Sequence, residues 1–268
     1  MSETGPSVRA EQPWLDPLLA DLYDVFPFDA DIPLYLDLAS EQGGNVLEIA
    51  CGSGRLLLPL ASAGHEVVGV DASPHMLALA RNKLASAGQE VASRCRLVQD
   101  DARSFRLDAD FGLAIIAVKS FVYLTRRAEQ QAALARVRRH LRPGGVLALD
   151  LLNPSPDWVT QADGSLRQDL AQEVPGKGMV MRTETAVSTD RATQVRTIRS
   201  VYDIVASDGG VTRRVVEWPF RYTYRFEAEL LLEAAGFTVE GVFGGYRREP
   251  LTSDSPTLML LARVSERA

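Results

Sequence analysis

Two cysteines and three histidines among 268 residues leave little material for a metal centre or a disulfide framework. Cys51 and Cys95 fall in expected strands or strand ends, with no CxxC or Cys/His spacing around them. No metal is therefore expected, and both thiols read as small buried hydrophobes. Cations are also short: 29 Lys and Arg against 35 Asp and Glu give a net charge of −6. That balance argues against nucleic acid as a partner, because phosphate backbones call for clustered cations. The one basic group, Arg136, Arg138, Arg139 and Arg142, closes an expected helix, where it complements the dipole. No apolar run approaches the roughly 20 residues that cross a bilayer. The opening stretch MSETGPSVRAEQPWLDP has no apolar centre of a secretory signal, so no membrane association and a cytoplasmic setting are expected. His65, His75 and His140 lie in or beside expected helices or βα connections and read as core or surface residues, with no Ser-His-Asp order around them.

What is present is an ordinary globular composition, 46% hydrophobic and 24% charged, enough for one elaborated α/β domain or two small ones. Residues 1 to about 13 are expected to be a loose tail, and Trp14–Leu38 two or three short helices around Tyr23–Asp24. A regular alternation follows. Val46–Ala50 is a short apolar strand interrupted by Glu48, Gly52–Ser53–Gly54 turns into a helix, and Glu66–Val70 is a second strand. Ser73 caps the next helix, with Pro74 at its first position and Gly88 past its end. Cys95–Gln99 and Gly112–Val118 are further strands, Thr125–Leu141 a helix, and Val146–Leu152 a fifth strand. Continuous apolar strands between amphipathic helices predict a doubly wound parallel sheet covered on both faces. Pro59 falls where the first of these helices should run, so that helix either starts late or is distorted in its first turns.

From Ser165 to Phe226 the period changes to two, with Thr193–Val205 and Val211–Phe226 joined by the turn Ser207–Gly210. This predicts an antiparallel meander inserted before a helix at Glu227–Ala235 and two terminal strands, Phe237–Phe243 and Thr257–Val264.

The chemistry concentrates in the first βαβ unit. Glycines at positions 52 and 54 permit positive φ and close approach to a ligand, and the N–H groups after them suit a carboxylate or phosphate. Asp71 ends the second strand, where a carboxylate accepts from both hydroxyls of a ribose. Met76 either packs in the core or covers an adenine face. Asp101 either accepts from the adenine amino group or is an exposed turn residue. A dinucleotide fingerprint would need glycine at position 57, which is Leu57, and that substitution points away from NAD.

The motifs E-x-A-C-G-S-G-R, V-x-G-V-D-x-S-x-x-M-L-x-x-A, D-D-A and L-R-P-G-G-x-L, in that order, resemble a class I S-adenosylmethionine-dependent methyltransferase. The resemblance covers about residues 20–152 and 227–264 and implies a seven-stranded sheet with its last strand antiparallel. It implies that Glu48, Ala50, Gly52 and Gly54 line the methionine end of S-adenosyl-L-methionine, and that Asp71 binds its ribose. Ala72, Met76, Asp101 and Ala102 would surround adenine, with Val118 and Lys119 bordering the sulfonium and the acceptor. The position of the insert is similar to that in sugar-amine and glycine N-methyltransferases, in which inserted strands cover the acceptor or form a dimer contact. The early Tyr23–Asp24 pair is shared with those relatives and adds Tyr23 to the cofactor set.

Residues 14–152 and 227–268 are accordingly expected to form the cofactor-binding domain, and 153–226 an inserted substrate-cover or homodimerisation subdomain. The expected activity is methyl transfer to a nitrogen or oxygen of a small-molecule acceptor by in-line displacement, driven mainly by proximity. An RNA methyltransferase and a non-catalytic cofactor-binding module are the alternatives. Lys119, Ser120, Tyr123 and Asn153, which follow the fourth and fifth strands, are candidates for the acceptor pocket. Lys119 suits either an anionic acceptor or a salt bridge. The expected strand face Trp218, Phe220, Tyr222, Tyr224 and Phe226 either packs on the main domain or, through Trp218 and Tyr222, roofs an acceptor.

Overall fold

Strands that are apolar on both sides must be covered on both sides, and the molecule arranges its elements accordingly. A computed structural model describes residues 17–25, 28–160 and 164–265; the expected N-terminal tail lies outside the described residues. In chain order the elements are α1 (Pro17–Tyr23), α2 (Ile32–Gln42), β1 (Val46–Ile49), α3 (Leu57–Ser62), β2 (Val67–Asp71), α4 (Pro74–Ser86), α5 (Gln89–Ser93) and β3 (Cys95–Gln99). Then come β4 (Phe111–Ile116), α6 (Arg127–His140), β5 (Leu141–Leu152), α7 (Pro156–Thr160) and four long strands, β6 (Leu166–Val174), β7 (Gly178–Asp190), β8 (Val195–Val205) and β9 (Val211–Arg221). The chain closes with α8 (Arg225–Ala234), β10 (Phe237–Phe243) and β11 (Thr257–Val264).

These elements divide into two compact units, with boundaries between α1 and α2, at Ser155/Pro156 and at Arg221/Tyr222. The larger one holds α2 to β5 and α8 to β11 around a seven-stranded sheet of order β10-β11-β5-β4-β1-β2-β3. β11 runs antiparallel to both β5 and β10, and the β1, β2, β3, β4 and β5 pairings are parallel, as the resemblance implied. Side chains alternate across the strands. Val46, Leu113, Ile115, Val146 and Ala148 pack with Leu34, Tyr35 and Leu38 of α2 and Leu57 and Leu60 of α3. Leu47, Ile49, Ala114, Leu147 and Leu149 pack with Leu134 and Val137 of α6 and Leu231 and Leu232 of α8. The same alternation turns Glu48, two residues after Val46, and Asp150, two after Ala148, toward the α2 and α3 face.

The smaller unit holds α1, α7 and the meander β6-β7-β8-β9, all antiparallel. Its core gathers Leu22 of α1 with Val180, Tyr202 and Val216, and Val25 and Trp218 pack against them.

The late start weighed for the helix around Pro59 is what the structure shows, and two other boundaries differ from the sequence reading. Pro59 is the third residue of α3, which begins only at Leu57, so its missing N–H falls in the first turn where it has no helical partner. β5 begins at Leu141, five residues before Val146, because Pro143–Gly144–Gly145 forms an irregularity within the pairing to β4 and not a loop before it. β9 ends at Arg221 and not at Phe226. Tyr224 is the N-cap of α8, and Phe226 lies on that helix, whose Ala228, Leu231 and Leu232 form the buried stripe.

One close contact behind the first turn is testable. A Cβ on Gly69 of β2 would lie 2.8 Å from Cys51 Sγ and 2.9 Å from Leu57 Cδ1. Gly69→Ala should destabilise the protein by about 1–3 kcal/mol in urea denaturation. Adding Cys51→Ala should recover part of that loss, and an unchanged midpoint in Gly69→Ala would contradict the packing described.

Candidate functional site

The strand order reverses between β1 and β4, and in open α/β sheets the crevice beyond the carboxyl ends at that point is where ligands bind. The backbone is unusual there. Ala50 (φ 56°), Val118 (φ 49°) and Lys119 (φ 58°) all occupy the left-handed region just past β1 and β4. For β-branched Val118 this is a true outlier, and such strain concentrates at functional sites. Gly52 (φ 56°) faces open space, with nothing within 4 Å of a Cβ built on it, so a ligand can approach its backbone. Gly54 (φ 80°) instead lets α4 close in, for its Cβ would sit 3.2 Å from that of Ala80.

Asp71 ties the turn to β2. Its Oδ2 accepts from the Gly52 N–H at 2.8 Å and its Oδ1 from the Ser73 N–H at 2.7 Å. Ser73 Oγ in turn accepts from the Met76 N–H at 3.3 Å and starts α4. Burial raises the Asp71 pKa, and the two N–H donors oppose that rise. Each carboxylate oxygen retains a further lone pair for a hydroxyl donor.

A set of buried ionisable groups lies on the α2 face of the same strands. Arg55, the last residue of the glycine motif, grips buried Asp31 with two bonds of 2.6 and 2.7 Å and donates to the Phe28 carbonyl at 2.7 Å. Asp31 occupies the N-cap position of α2 but gives its carboxylate to Arg55 and not to the helix. Glu48 is buried, and its Oε2 has no hydrogen-bond partner among the described residues. Burial pushes its carboxyl up to about 8, against the pull of Arg55. Tyr35 Oη is likewise buried without a partner among the described residues. On β5, Asp150 Oδ2 accepts from Tyr246 Oη at 2.9 Å, and Lys119 Nζ donates to the same phenol at 2.9 Å while lying 3.5 Å from Asp150 Oδ1. The Lys119 ammonium also lies over the rings of Phe28 (5.9 Å) and Tyr246 (5.5 Å).

The larger unit thus brings together Glu48, Ala50, Gly52, Gly54, Asp71, Ala72, Met76, Val118 and Lys119 at the ends of β1, β2 and β4. Asp101 and Ala102 follow β3, but the Asp101 carboxylate is held by Arg103 at 2.8 and 2.6 Å, which lowers its pKa, and Arg103 also binds Glu129 at 2.8 Å. Lys119 has the salt-bridge partner weighed for it and is not a free cation. Ser120 Oγ is spent on the Ala117 carbonyl (2.8 Å) at the start of the 3-10 turn Ser120–Tyr123, to which Tyr123 also belongs. Asn153 Nδ2 holds the Ser255 carbonyl at 2.8 Å. Tyr23 and Trp218 belong to the smaller unit. Tyr222 follows β9 and is buried, with its ring edge-on to Tyr224 at 5.7 Å. His140, read as structural, accepts the Leu107 N–H at 3.0 Å and stacks on Phe105 at 4.7 Å.

Sequence reasoning missed Phe28, Asp31, Tyr35, Asp150 and Tyr246. One signal was available: Asp150 interrupts an apolar strand as Glu48 does. The site fits an adenosine compound whose amino-acid end carries an ammonium group. Gly52 offers an open cradle, Asp71 has acceptor capacity beside it, and the orphaned Glu48 oxygen supplies a buried anion once ionised.

Glu48 also makes a prediction for the free protein. Its folded pKa lies above the unfolded value, so the native state holds a proton that the unfolded chain releases. Wild-type stability should therefore fall, relative to Glu48→Gln, by up to about 1.4 kcal/mol per pH unit between roughly pH 5 and 8. Urea titrations of both proteins across that range measure it, and parallel curves would contradict the buried-acid assignment.

Comparison with known proteins agrees with this geometry. A family model described as a methyltransferase domain matches residues 46–145. The chain is 30% identical over 219 residues, 82% of each sequence, to the cypemycin N-terminal methyltransferase of a Streptomyces species. It is 29% identical to the dTDP-3-amino-3,4,6-trideoxy-alpha-D-glucopyranose N,N-dimethyltransferase of Streptomyces venezuelae, across 84% of this chain and 92% of that one. In fold it is similar to the CcbJ methyltransferase of Streptomyces caelestis, with TM-score 0.80 and 23% identity over 96% of this chain and 99% of the other. The chain belongs to the class I S-adenosylmethionine-dependent methyltransferases and is an enzyme that draws its methyl group from that cofactor.

Proposed function

We propose that the enzyme methylates an amine nitrogen of a small-molecule acceptor. The observation that carries this reading is that the two sequence relatives reported above are named for nitrogen sites, an N-terminus in one and the amino group of a nucleotide-linked sugar in the other. The net charge of −6 favours a small molecule over RNA.

The bound cofactor supplies a methyl carbon already activated by its sulfonium. The residues of this chain hold and orient it: Gly52 and Gly54 allow backbone approach, Asp71 accepts from ribose hydroxyls, and Glu48 faces the ammonium of the amino-acid end. Ala72, Met76, Asp101 and Ala102 surround the adenine, Asp101 sharing its carboxylate with Arg103. Val118 and Lys119 border the acceptor side of the crevice. With reactants held near about 3–3.5 Å in line, proximity supplies most of the acceleration. An amine must also arrive without its proton, which calls for a proton acceptor near the nitrogen. A cytoplasmic setting belongs to the same reading, and so does a homodimer through the inserted sheet, whose outer strands β6 and β9 each leave one edge unpaired within that sheet.

The test is transfer of labelled methyl from S-adenosylmethionine to a panel of amino sugars, amino acids and short peptides, run beside hydroxyl-bearing counterparts. Label is expected on amines, with at least 100-fold preference over the matched hydroxyl compounds. Exclusive labelling of hydroxyl acceptors, or of RNA, would overturn the assignment.

A further inference from the structure

We propose that Tyr246 and Asp150 form a proton-accepting dyad for the acceptor amine, positioned by Lys119. The proposal rests on the nitrogen reading above. Its ground is geometric. β10 pairs antiparallel with β11, which pairs antiparallel with β5, so β10 ends on the same side of the sheet as β1, β4 and β5. The loop that follows β10 therefore crosses the crevice rim, and it carries Tyr246 there. Tyr246 Oη is fixed by two bonds of 2.9 Å, one donated to Asp150 Oδ2 and one accepted from Lys119 Nζ. Its ring is braced edge-on by Phe28 at 5.6 Å. A phenol oxygen carries two lone pairs, so one remains to accept an N–H. Asp150 is wholly buried, and its Oδ1 has only the Lys119 ammonium, at 3.5 Å, beside it and no hydrogen bond among the described residues. A buried carboxylate of that kind takes up a proton more readily than one in water, and burial does raise the Asp150 pKa against the opposing Lys119 and Tyr246. Tyr246 itself stays a phenol, because burial and the Asp150 charge raise its pKa.

The step balances as follows. The acceptor binds as an ammonium ion. One N–H proton passes to Tyr246 Oη while the phenol's own proton passes to Asp150 Oδ2, so the dyad goes from one negative charge to none. The freed nitrogen lone pair forms the bond to the methyl carbon as the carbon–sulfur bond breaks, and that electron pair stays on sulfur. The methylated product leaves as an ammonium ion, and Asp150 returns its proton to water by the reverse route. Lys119, a cation beside the phenol, further disfavours the charged form of the amine. Other groups facing the dyad are Asp31 and Tyr35 from the α2 segment and Thr257 at the start of β11, whose side chain opposes the rise of the Tyr246 pKa.

Tyr246→Phe removes one hydroxyl and keeps the ring, and Asp150→Asn keeps the shape of the carboxyl. Both are compared with wild type on an amine found in the panel, with cofactor affinity measured by calorimetry without acceptor. For Tyr246→Phe, cofactor affinity should stay within about twofold and KM within a few-fold, while kcat at pH 7 falls about 10²–10³-fold. That factor matches the small neutral fraction of an amine whose pKa is near 10, since only that fraction can react unaided. The variant's kcat should then rise tenfold per pH unit and approach wild type as the amine loses its own proton. A loss of equal size at every pH, or no loss, would overturn the dyad while leaving the nitrogen reading intact. A wild-type enzyme that labels hydroxyl acceptors and no amine would remove the nitrogen reading and the dyad with it. If Asp150→Asn fails to fold, Tyr246→Phe decides alone.

Discussion

A carboxylate taken out of water needs a cation, a set of N–H donors or a proton, and the carboxyl edge of this sheet shows all three solutions side by side. Asp31 has the Arg55 guanidinium, Asp71 has the N–H groups of Gly52 and Ser73, and Glu48 keeps its proton at neutral pH. Asp150 divides its needs between a phenol and an ammonium. These pairings place the surrounding chain. The Arg55 pair fastens the start of α2 to the glycine turn, the Asp71 bonds fasten that turn to β2, and the Tyr246 bonds fasten the loop after β10 to β4 and β5. Removing one partner of such a buried set leaves an uncompensated charge, so the site's architecture and its electrostatics are one arrangement.

The strained backbone follows from the same demand. Left-handed residues cost of order 1–3 kcal/mol each when they are not glycine, and three of them stand at the ends of β1 and β4. At Lys119 that conformation accompanies a side chain that meets Tyr246, Asp150 and Phe28 together. At Ala50 it precedes the turn whose Gly52 N–H reaches Asp71. The strain is held by the apolar layers on both sheet faces.

The first βαβ unit was legible in the sequence because its constraints are local: glycines where φ is positive, an acid at a strand end, a Ser-Pro helix start. The order of the sheet followed from the resemblance and not from periodicity. The end of β9 was misread for a physical reason. Tyr222 and Phe226 are four residues apart, a spacing that suits one face of a strand and one face of a helix alike, and burial of Ala228, Leu231 and Leu232 decides for the helix from Arg225 onward. The cluster around Tyr246 was legible only in Lys119 as an oddity. Its partner Tyr246 is 127 residues away in sequence, and Tyr246 and Asp150 are 96 apart, so no window of sequence contains the cluster. Asp101 illustrates the converse: its place after β3 was readable, but its capture by Arg103 was not.

The central claim is that the sheet edge keeps a buried acid protonated until a cationic ligand arrives. Calorimetric titration with S-adenosylmethionine in two buffers of different ionisation heat counts the protons exchanged on binding. With the Glu48 carboxyl at about 8 before binding, the account predicts release of about one proton at pH 7 in the wild type and none in Glu48→Gln. Binding of the cofactor to the wild type with no proton released would contradict it.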